Sequence, residues 1–271
     1  MLFRSAPNGL TITGNAGANA ITGTAFIDSL NGGGGADIYV VTTTAQHSAA
    51  EIADSGASGV DELRFASSTA GEVLTVFAAD TGLEAVTIGT GTAAAAVVTA
   101  TTALSINASA APNGLTITGN NGVNTLTGTA FADTITGGGG LDAMNGGDSG
   151  DLYVIASSAD HSAAEIADSG ASGVDELRFA SSTAGQTLTV FAADTGLEKV
   201  TIGTGTAAAP VVTATTALNV NASAAPNGLT ITGNAGANAI TGTAFIDSLN
   251  GGGGADIYVV TTTAQIGRAH V

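Results

Sequence analysis

The phrase PNGLTITGN occurs three times, beginning at Pro7, Pro112 and Pro226, and opens a long repeat with spacings of 105 and 114 residues. The difference is nine residues, and it falls in one place. Where the first and third copies read GGGGADIYV (32–40 and 251–259), the second reads GGGGLDAMNGGDSGDLYV (137–154). A flexible linker tolerates any change of length. The gain of one whole nine-residue unit implies a structural coil of that size.

Set out in nines, the second copy reads GNNGVNTLT, GTAFADTIT, GGGGLDAMN and GGDSGDLYV over residues 119–154. The first and third copies each give GNAGANAIT, GTAFIDSLN and GGGGADIYV, at 14–40 and 233–259. Large apolar residues keep the same beat: Ile12, Ile21, Leu30, Tyr39; Ile117, Leu126, Ile135, Met144, Tyr153; and Ile231, Ile240, Leu249, Tyr258. The pattern predicts a glycine-rich turn followed by a short strand, with one large side chain per unit pointing inward and the aspartate on the outward turn.

The units follow G-G-x-G-x-D-x-U-x, and over them the chain resembles the RTX, or hemolysin-type calcium-binding, repeat family. Full matches are GGGGLDAMN and the two GGGGADIYV units, while GGDSGDLYV has Ser149 at the fourth glycine position. The others are degenerate: GTAFAD keeps Asp133 but lacks two glycines, and GNNGVN has Asn124 in place of the aspartate. The resemblance implies an all-β fold, a parallel β-roll or β-solenoid built from nonapeptides and joined by further short strands. It also implies calcium held between turns i and i+2.

Carried onto this chain, the family's geometry pairs Asp133 with Asp151 and Asn124 with Asp142. In the flanking blocks it pairs Asn19 with Asp37 and Asn238 with Asp256. The turn glycines that would present carbonyls to the ion are Gly137, Gly138 and Gly140, then Gly146 and Gly147. Their counterparts are Gly32, Gly33 and Gly35 in the first block and Gly251, Gly252 and Gly254 in the third. Calcium suits such a set because it takes six to eight oxygens from carboxylates and carbonyls alike. Glycine reaches positive φ without a Cβ in the way. An Asn ligand gives up a charge, so one or two sites are expected in the second block and one weak site in each of the others. Family analogy suggests affinities of roughly 10⁻⁴–10⁻³ M.

Composition narrows the alternatives. With 22 acidic and 5 basic residues the net charge is −17, which argues against nucleic acid or anionic membrane as partner. There is no cysteine and no tryptophan, so neither disulfides nor a thick aromatic core hold the chain together. No stretch of about 20 large apolar residues is present, so no transmembrane helix is expected. The motif H-x-x-x-E (His47 with Glu51, His161 with Glu165) lacks further zinc ligands and reads as a solvated loop. Asp61 and Glu62 before Arg64, and Asp175 and Glu176 before Arg178, read as surface pairs. No nucleophile elbow or phosphate loop occurs, so the chain is read as non-enzymatic.

Between blocks lie spacers in which LTVF (74–77), AVTI (85–88), AVVTA (96–100) and LSI (104–106) alternate as short strands. They are expected to form further rungs, with SAAEIAD as a short helical turn. The ends, MLFRS and IGRAHV, break the repeat and resemble translated sequencing-adaptor DNA, so the chain is read as an internal fragment with non-native tails at 1–5 and 266–271. The organisation expected is a first block at 6–46, a spacer at 47–111, a second block at 112–160, a spacer at 161–225 and a third block at 226–265.

The leading expectation is a calcium-binding repeat module of a secreted or cell-surface bacterial protein, with calcium coupled to folding. The resemblance supplies the extracellular location, export by a type I route and contact with a cell surface or matrix. Two alternatives stand beside it: an adhesin or surface-layer spacer without working calcium sites, and the carrier tail of a secreted toxin or enzyme.

Overall fold

The computed structural model describes residues 8–56 and 58–260. The expected tails therefore lie outside the described residues. Contacts divide the chain into two units, Met1–Asp142 and Ala143–Val271, and the boundary falls inside the second nonapeptide block.

In the first unit, strands Ala20–Ile21, Ile38–Val41, Glu62–Phe65, Ala85–Ile88, Thr116–Thr118 and Thr134–Thr136 pair in parallel in that order. Their register stacks Ile21, Tyr39, Leu63, Val86, Ile117 and Ile135 into one column. Every member of that column is at most 4% exposed. A second parallel ladder, Val73–Thr75, Ser105–Asn107 and Thr125–Thr127, stacks Leu74, Ile106 and Leu126, all at most 1% exposed. Thr11–Asn15 pairs with Ser29–Gly33, and Leu30 bridges on to Ile52.

The second unit repeats the plan. Leu152–Ile155, Glu176–Phe179, Lys199–Ile202, Thr230–Thr232 and Ser248–Asn250 form one parallel ladder. Thr187–Thr189, Asn219–Asn221, Ala239–Thr241 and Ile257–Val259 form the other. Each unit is thus a parallel β-roll, in which most successive strands alternate between stacked parallel ladders.

The coil length explains why the nonapeptide beat survives. From Ile21 to Tyr39, and again from Ile117 to Ile135, one full coil is two nonapeptides long. The spacer continues the coil with longer and unequal turns, from Tyr39 to Leu63, from Leu63 to Val86 and from Val86 to Ile117. One large side chain per strand suffices because each contributes about 1.5–3 kcal/mol when buried and stacks on its equivalents above and below.

The spacer strands form largely as expected, with three differences. AVVTA forms no parallel rung; Val97 instead makes an antiparallel bridge to Thr90, closing a small loop. SAAEIAD is not helical: Ile52 and Ala53 bridge to Leu30 and Thr81, because Ile52 fills the core at 1% exposure. A 3₁₀ turn occurs instead at Thr44–Gln46, with a counterpart at Ser158–Asp160. Among the described residues no helix is long and apolar enough to cross a membrane.

Candidate metal centre

The sixth residue of most nonapeptides is buried rather than on an outward turn, with Asn19 and Asp256 half-buried. Asp37 is fully buried, and Asn124, Asp133, Asp142 and Asp151 are 1–5% exposed. One oxygen caps the backbone of the coil before it. Asp37 Oδ1 accepts from the Asn19 N–H at 2.6 Å, Asp142 Oδ1 from Asn124 at 2.8 Å, and Asp256 Oδ1 from Asn238 at 2.9 Å. Each of these bonds spans one coil of two nonapeptides, so the aspartates help to set the register.

The second oxygen separates the turn types. In the GTAF turns the threonine four residues earlier closes the carboxylate. Asp133 Oδ2 accepts from Thr129 N–H at 2.6 Å, while its Oδ1 accepts from Leu115 N–H and from the Thr129 hydroxyl. Asp28 with Thr24, and Asp247 with Thr243, repeat this closure. In the asparagine turns the side-chain oxygen is likewise engaged: Asn19 accepts from Asn15, Asn124 from Asn120 and Asn238 from Asn234, at 2.8–3.0 Å. Asn124 Nδ2 donates to the Leu104 carbonyl, and Asn238 Nδ2 to that of Leu218. Asp133 and the three asparagines therefore use their side-chain oxygens within the chain.

The glycine turn of Asp37 differs. The residue four before Asp37 is Gly33, at φ +96°, whose N–H turns away to the Asn31 side chain at 3.0 Å. Asp37 Oδ2 is left buried without a hydrogen-bond partner. A Cβ on Gly32 would collide with that oxygen, and Gly137, Gly146 and Gly251 stand in the same relation to Asp142, Asp151 and Asp256. A buried carboxylate oxygen above a glycine cradle, in an all-oxygen setting, fits a hard divalent cation. Burial, with the nearby Asp54 adding to it against the Asn19 hydrogen bond, raises the Asp37 pKa. Burial also pushes Asp133 up to about 6 against its hydrogen bonds.

Positive φ recurs at the second and fourth positions of these turns: Gly33 and Gly35, Gly138 and Gly140, Gly252 and Gly254. Ser149 occupies the fourth position of GGDSGDLYV and keeps φ at +79°, so the turn geometry survives loss of its glycine. Gly138 is the more demanding position, because a Cβ there would run into the Asn120 carbonyl. Gly138→Ala is expected to lose about 1–3 kcal/mol of stability from backbone strain alone. Denaturant titration checks this, and an unchanged midpoint would show that the turn is not held in the left-handed region.

The histidines and arginines correct the sequence reading. His47 and His161 are 3% and 2% exposed rather than solvated. His47 Nε2 lies 3.0 Å from Asp80 and its Nδ1 3.9 Å from Glu51, and His161 makes the same contacts with Asp194 and Glu165 at 3.1 and 3.2 Å. Arg64 and Arg178 are buried as well, at 0% and 1% exposure. Each serves as a structural clamp rather than a surface charge, for reasons set by the loops they hold.

Sequence reasoning passed over two spacer carboxylates, Asp54 and Asp168, and read two others, Asp61 and Asp175, as surface pairs that the structure instead buries. Asp54 and Asp61 follow the first block, Asp168 and Asp175 the second, and all are at most 8% exposed. Burial and neighbouring carboxylates raise Asp61 to about 6 and Asp175 to about 7, against a backbone hydrogen bond in each case. The signal was a paired aspartate in DSGASGVD, at 54–61 and 168–175, whose Gly59 and Gly173 take positive φ as in the nonapeptide turns.

A parallel roll with buried turn carboxylates and glycine cradles defines the class, a calcium-type repeat coil. Residues 13–41, 118–153 and 232–260 match the family described as the RTX calcium-binding nonapeptide repeat, in four copies. Over these stretches the chain matches RTX repeats, and the repeats of that family bind calcium. No curated protein and no solved structure matches the chain.

Proposed function

We propose that this chain is a non-enzymatic calcium-binding module of a secreted or cell-surface RTX-type protein, in which calcium completes folding of the roll. The observation that carries the reading is Asp37 Oδ2, buried without a hydrogen-bond partner in a full-consensus turn. Calcium would supply the positive charge and oxygen affinity that such a carboxylate lacks. Asp37, Asp142, Asp151 and Asp256 would hold it with carbonyls of the glycine turns, while the chain itself provides register and excludes water. Folding would then follow arrival in calcium-rich surroundings, consistent with an acidic chain exported before it folds.

Asp133, Asp28 and Asp247 favour a second reading. Their closed hydrogen-bond rings make those rungs self-supporting, as a calcium-independent spacer or adhesin would require. Thermal unfolding in 10 mM calcium and in chelator separates the two. With site affinities of roughly 10⁻⁴–10⁻³ M, calcium adds about 1.4–2.7 kcal/mol per site, and several degrees or more in Tm is expected. Identical unfolding curves, with a fully β spectrum in chelator, would favour the spacer.

A further inference from the structure

We propose that each spacer contributes to a cation site that the nonapeptide consensus alone does not make. In it, the closing turn of a nonapeptide block and the first coil of the following spacer hold one divalent, oxygen-preferring cation between them. The two sites are Asp37 with Asp54 and Asp61, and Asp151 with Asp168 and Asp175.

Within each trio, one carboxylate oxygen per residue lies within 4.8 Å of the other two. All six residues are at most 8% exposed. Three carboxylates so close, away from water, repel one another unless a cation or protons intervene. Among the described residues no lysine, arginine or histidine forms an ion pair with Asp37, Asp54 or Asp61. Arg64, the nearest in sequence, is engaged with Glu62 and two backbone carbonyls.

Closeness alone would not define a site, but the unused atoms do. Asp37 is fully buried, its Oδ1 holds the Asn19 N–H, and its Oδ2 has no donor. In the second copy the atom without a donor is Asp168 Oδ2, also buried. Each trio thus keeps a carboxylate oxygen facing neither water nor a hydrogen-bond donor.

The other atoms are held in place around them. Asp61 Oδ1 accepts the Asp37 N–H at 2.8 Å, and Asp175 Oδ1 the Asp151 N–H at 2.7 Å. That is the same coil-to-coil bond made within the nonapeptides, now across the longer spacer coil. Tyr39 hydroxyl accepts the Gly32 N–H and donates to Asp54, tying nonapeptide turn to spacer carboxylate. Tyr153 does the same between Gly146 and Asp168, at 2.6 and 3.1 Å. Each phenol thereby fixes the direction in which its spacer carboxylate points. The donor set is oxygen throughout, which selects calcium or a similar hard cation over zinc or copper.

The structural consequence is a joint between repeat and spacer. Asp54, Asp61, Asp168 and Asp175 all lie outside the stretches matching the RTX repeat. An ion there would fasten the first spacer coil to the last nonapeptide coil, where the period changes. The inference rests on the proposed function only for the identity of the ion.

Equilibrium dialysis of the full chain with calcium tests it, with folding followed by circular dichroism. The Asp54→Asn, Asp168→Asn double variant keeps the size of both side chains and is expected to bind two fewer calcium ions than the parent chain. Asp61→Asn with Asp175→Asn should lose the same two, giving a second route if the first pair fails to fold. Asp142→Asn, in neither trio, should leave them in place. Undiminished binding in both spacer double variants would overturn the spacer sites while leaving the nonapeptide reading intact. Loss in the spacer variants with no effect of Asp142→Asn would support the spacer sites and count against the nonapeptide ones. A parent chain that binds no calcium would overturn both.

Discussion

His47→Ala is expected to destabilise the first unit by about 3–5 kcal/mol, the range for breaking a buried ion pair by removing one partner. His47 and Asp80 have side chains at most 1% exposed, and their contact is 3.0 Å. Burial alone would lower the His47 pKa, but the bond to Asp80 and the neighbouring Glu51 carboxylate outweigh it and hold the value at about 9. Asp80 in turn is held below the usual carboxylate range: burial opposes this, and His47 with the N–H groups of Phe77 and Ile52 overcomes it. Without the imidazolium, Asp80 and Glu51 would be buried charges with no counter-charge. The Phe77 ring, 5.5 Å away and edge-on, would also face a void.

The same geometry dictates a pH dependence. The folded pKa of about 9 lies above the ordinary histidine value of 6.5. The stabilisation is therefore complete below about pH 6.5 and is lost as pH rises through about 9. His161, also held at about 9, behaves alike in the second unit. Urea midpoints at pH 6, 8 and 10, for the parent chain and for His47→Ala with His161→Ala, check both statements. A midpoint independent of pH in the parent would mean that folding leaves the histidine pKa values unshifted.

Arg64→Ala should produce a loss of similar size, about 3–5 kcal/mol, with a different local signature. The guanidinium meets Glu62 through two parallel bonds of 2.9 and 2.6 Å, and its remaining nitrogen donates to the carbonyls of Gly91 and Ala93, both at 2.9 Å. Those carbonyls belong to the loop closed by the Thr90–Val97 bridge. Lysine carries three donors on one point and cannot span carboxylate and loop together, so Arg64→Lys should recover little. Amide exchange should accelerate at residues 90–97 in both variants. Protection unchanged there would show that the loop is held by its bridge alone. Arg178, with Glu176 and the carbonyls of Gly205 and Ala207, offers an internal replicate.

Much of the roll is legible along the chain because the coil is commensurate with the repeat. Ile21, Tyr39, Ile117 and Ile135 can be placed inward from sequence alone, since each nonapeptide carries one large apolar side chain on its short strand. The spacers were legible only in part. Their coils differ in length from one to the next and share no period, so Leu63 and Val86 align with Tyr39 only once the strands are stacked. AVVTA alternates like a strand, yet Val97 closes a loop over Arg64's partners instead of joining a ladder.

At the site, spacing identified the aspartates but not the state of their oxygens. Asp133 and Asp37 occupy the same repeat position. A threonine four residues before Asp133 closes both of its oxygens, and a glycine before Asp37 leaves one open. Asp54 and Asp61 sit in a stretch without the full nonapeptide consensus, and their paired spacing in DSGASGVD does not by itself place them beside Asp37. Their meeting is a product of stacking a spacer coil on a nonapeptide coil.

By itself, then, the sequence determined the nine-residue beat and the inward residue of each nonapeptide, which follow from short-range periodicity. The parallel roll and the kind of ion its turns suit were implied by the resemblance of those turns to RTX repeats. Only the tertiary structure decided which carboxylates are closed, that His47 and Arg64 are buried in clamps, and that spacer aspartates converge on the repeat. Each of these depends on distant coils coming into register, and hydrogen-bond partners in a stack are chosen by the neighbour above, not by the neighbour in sequence.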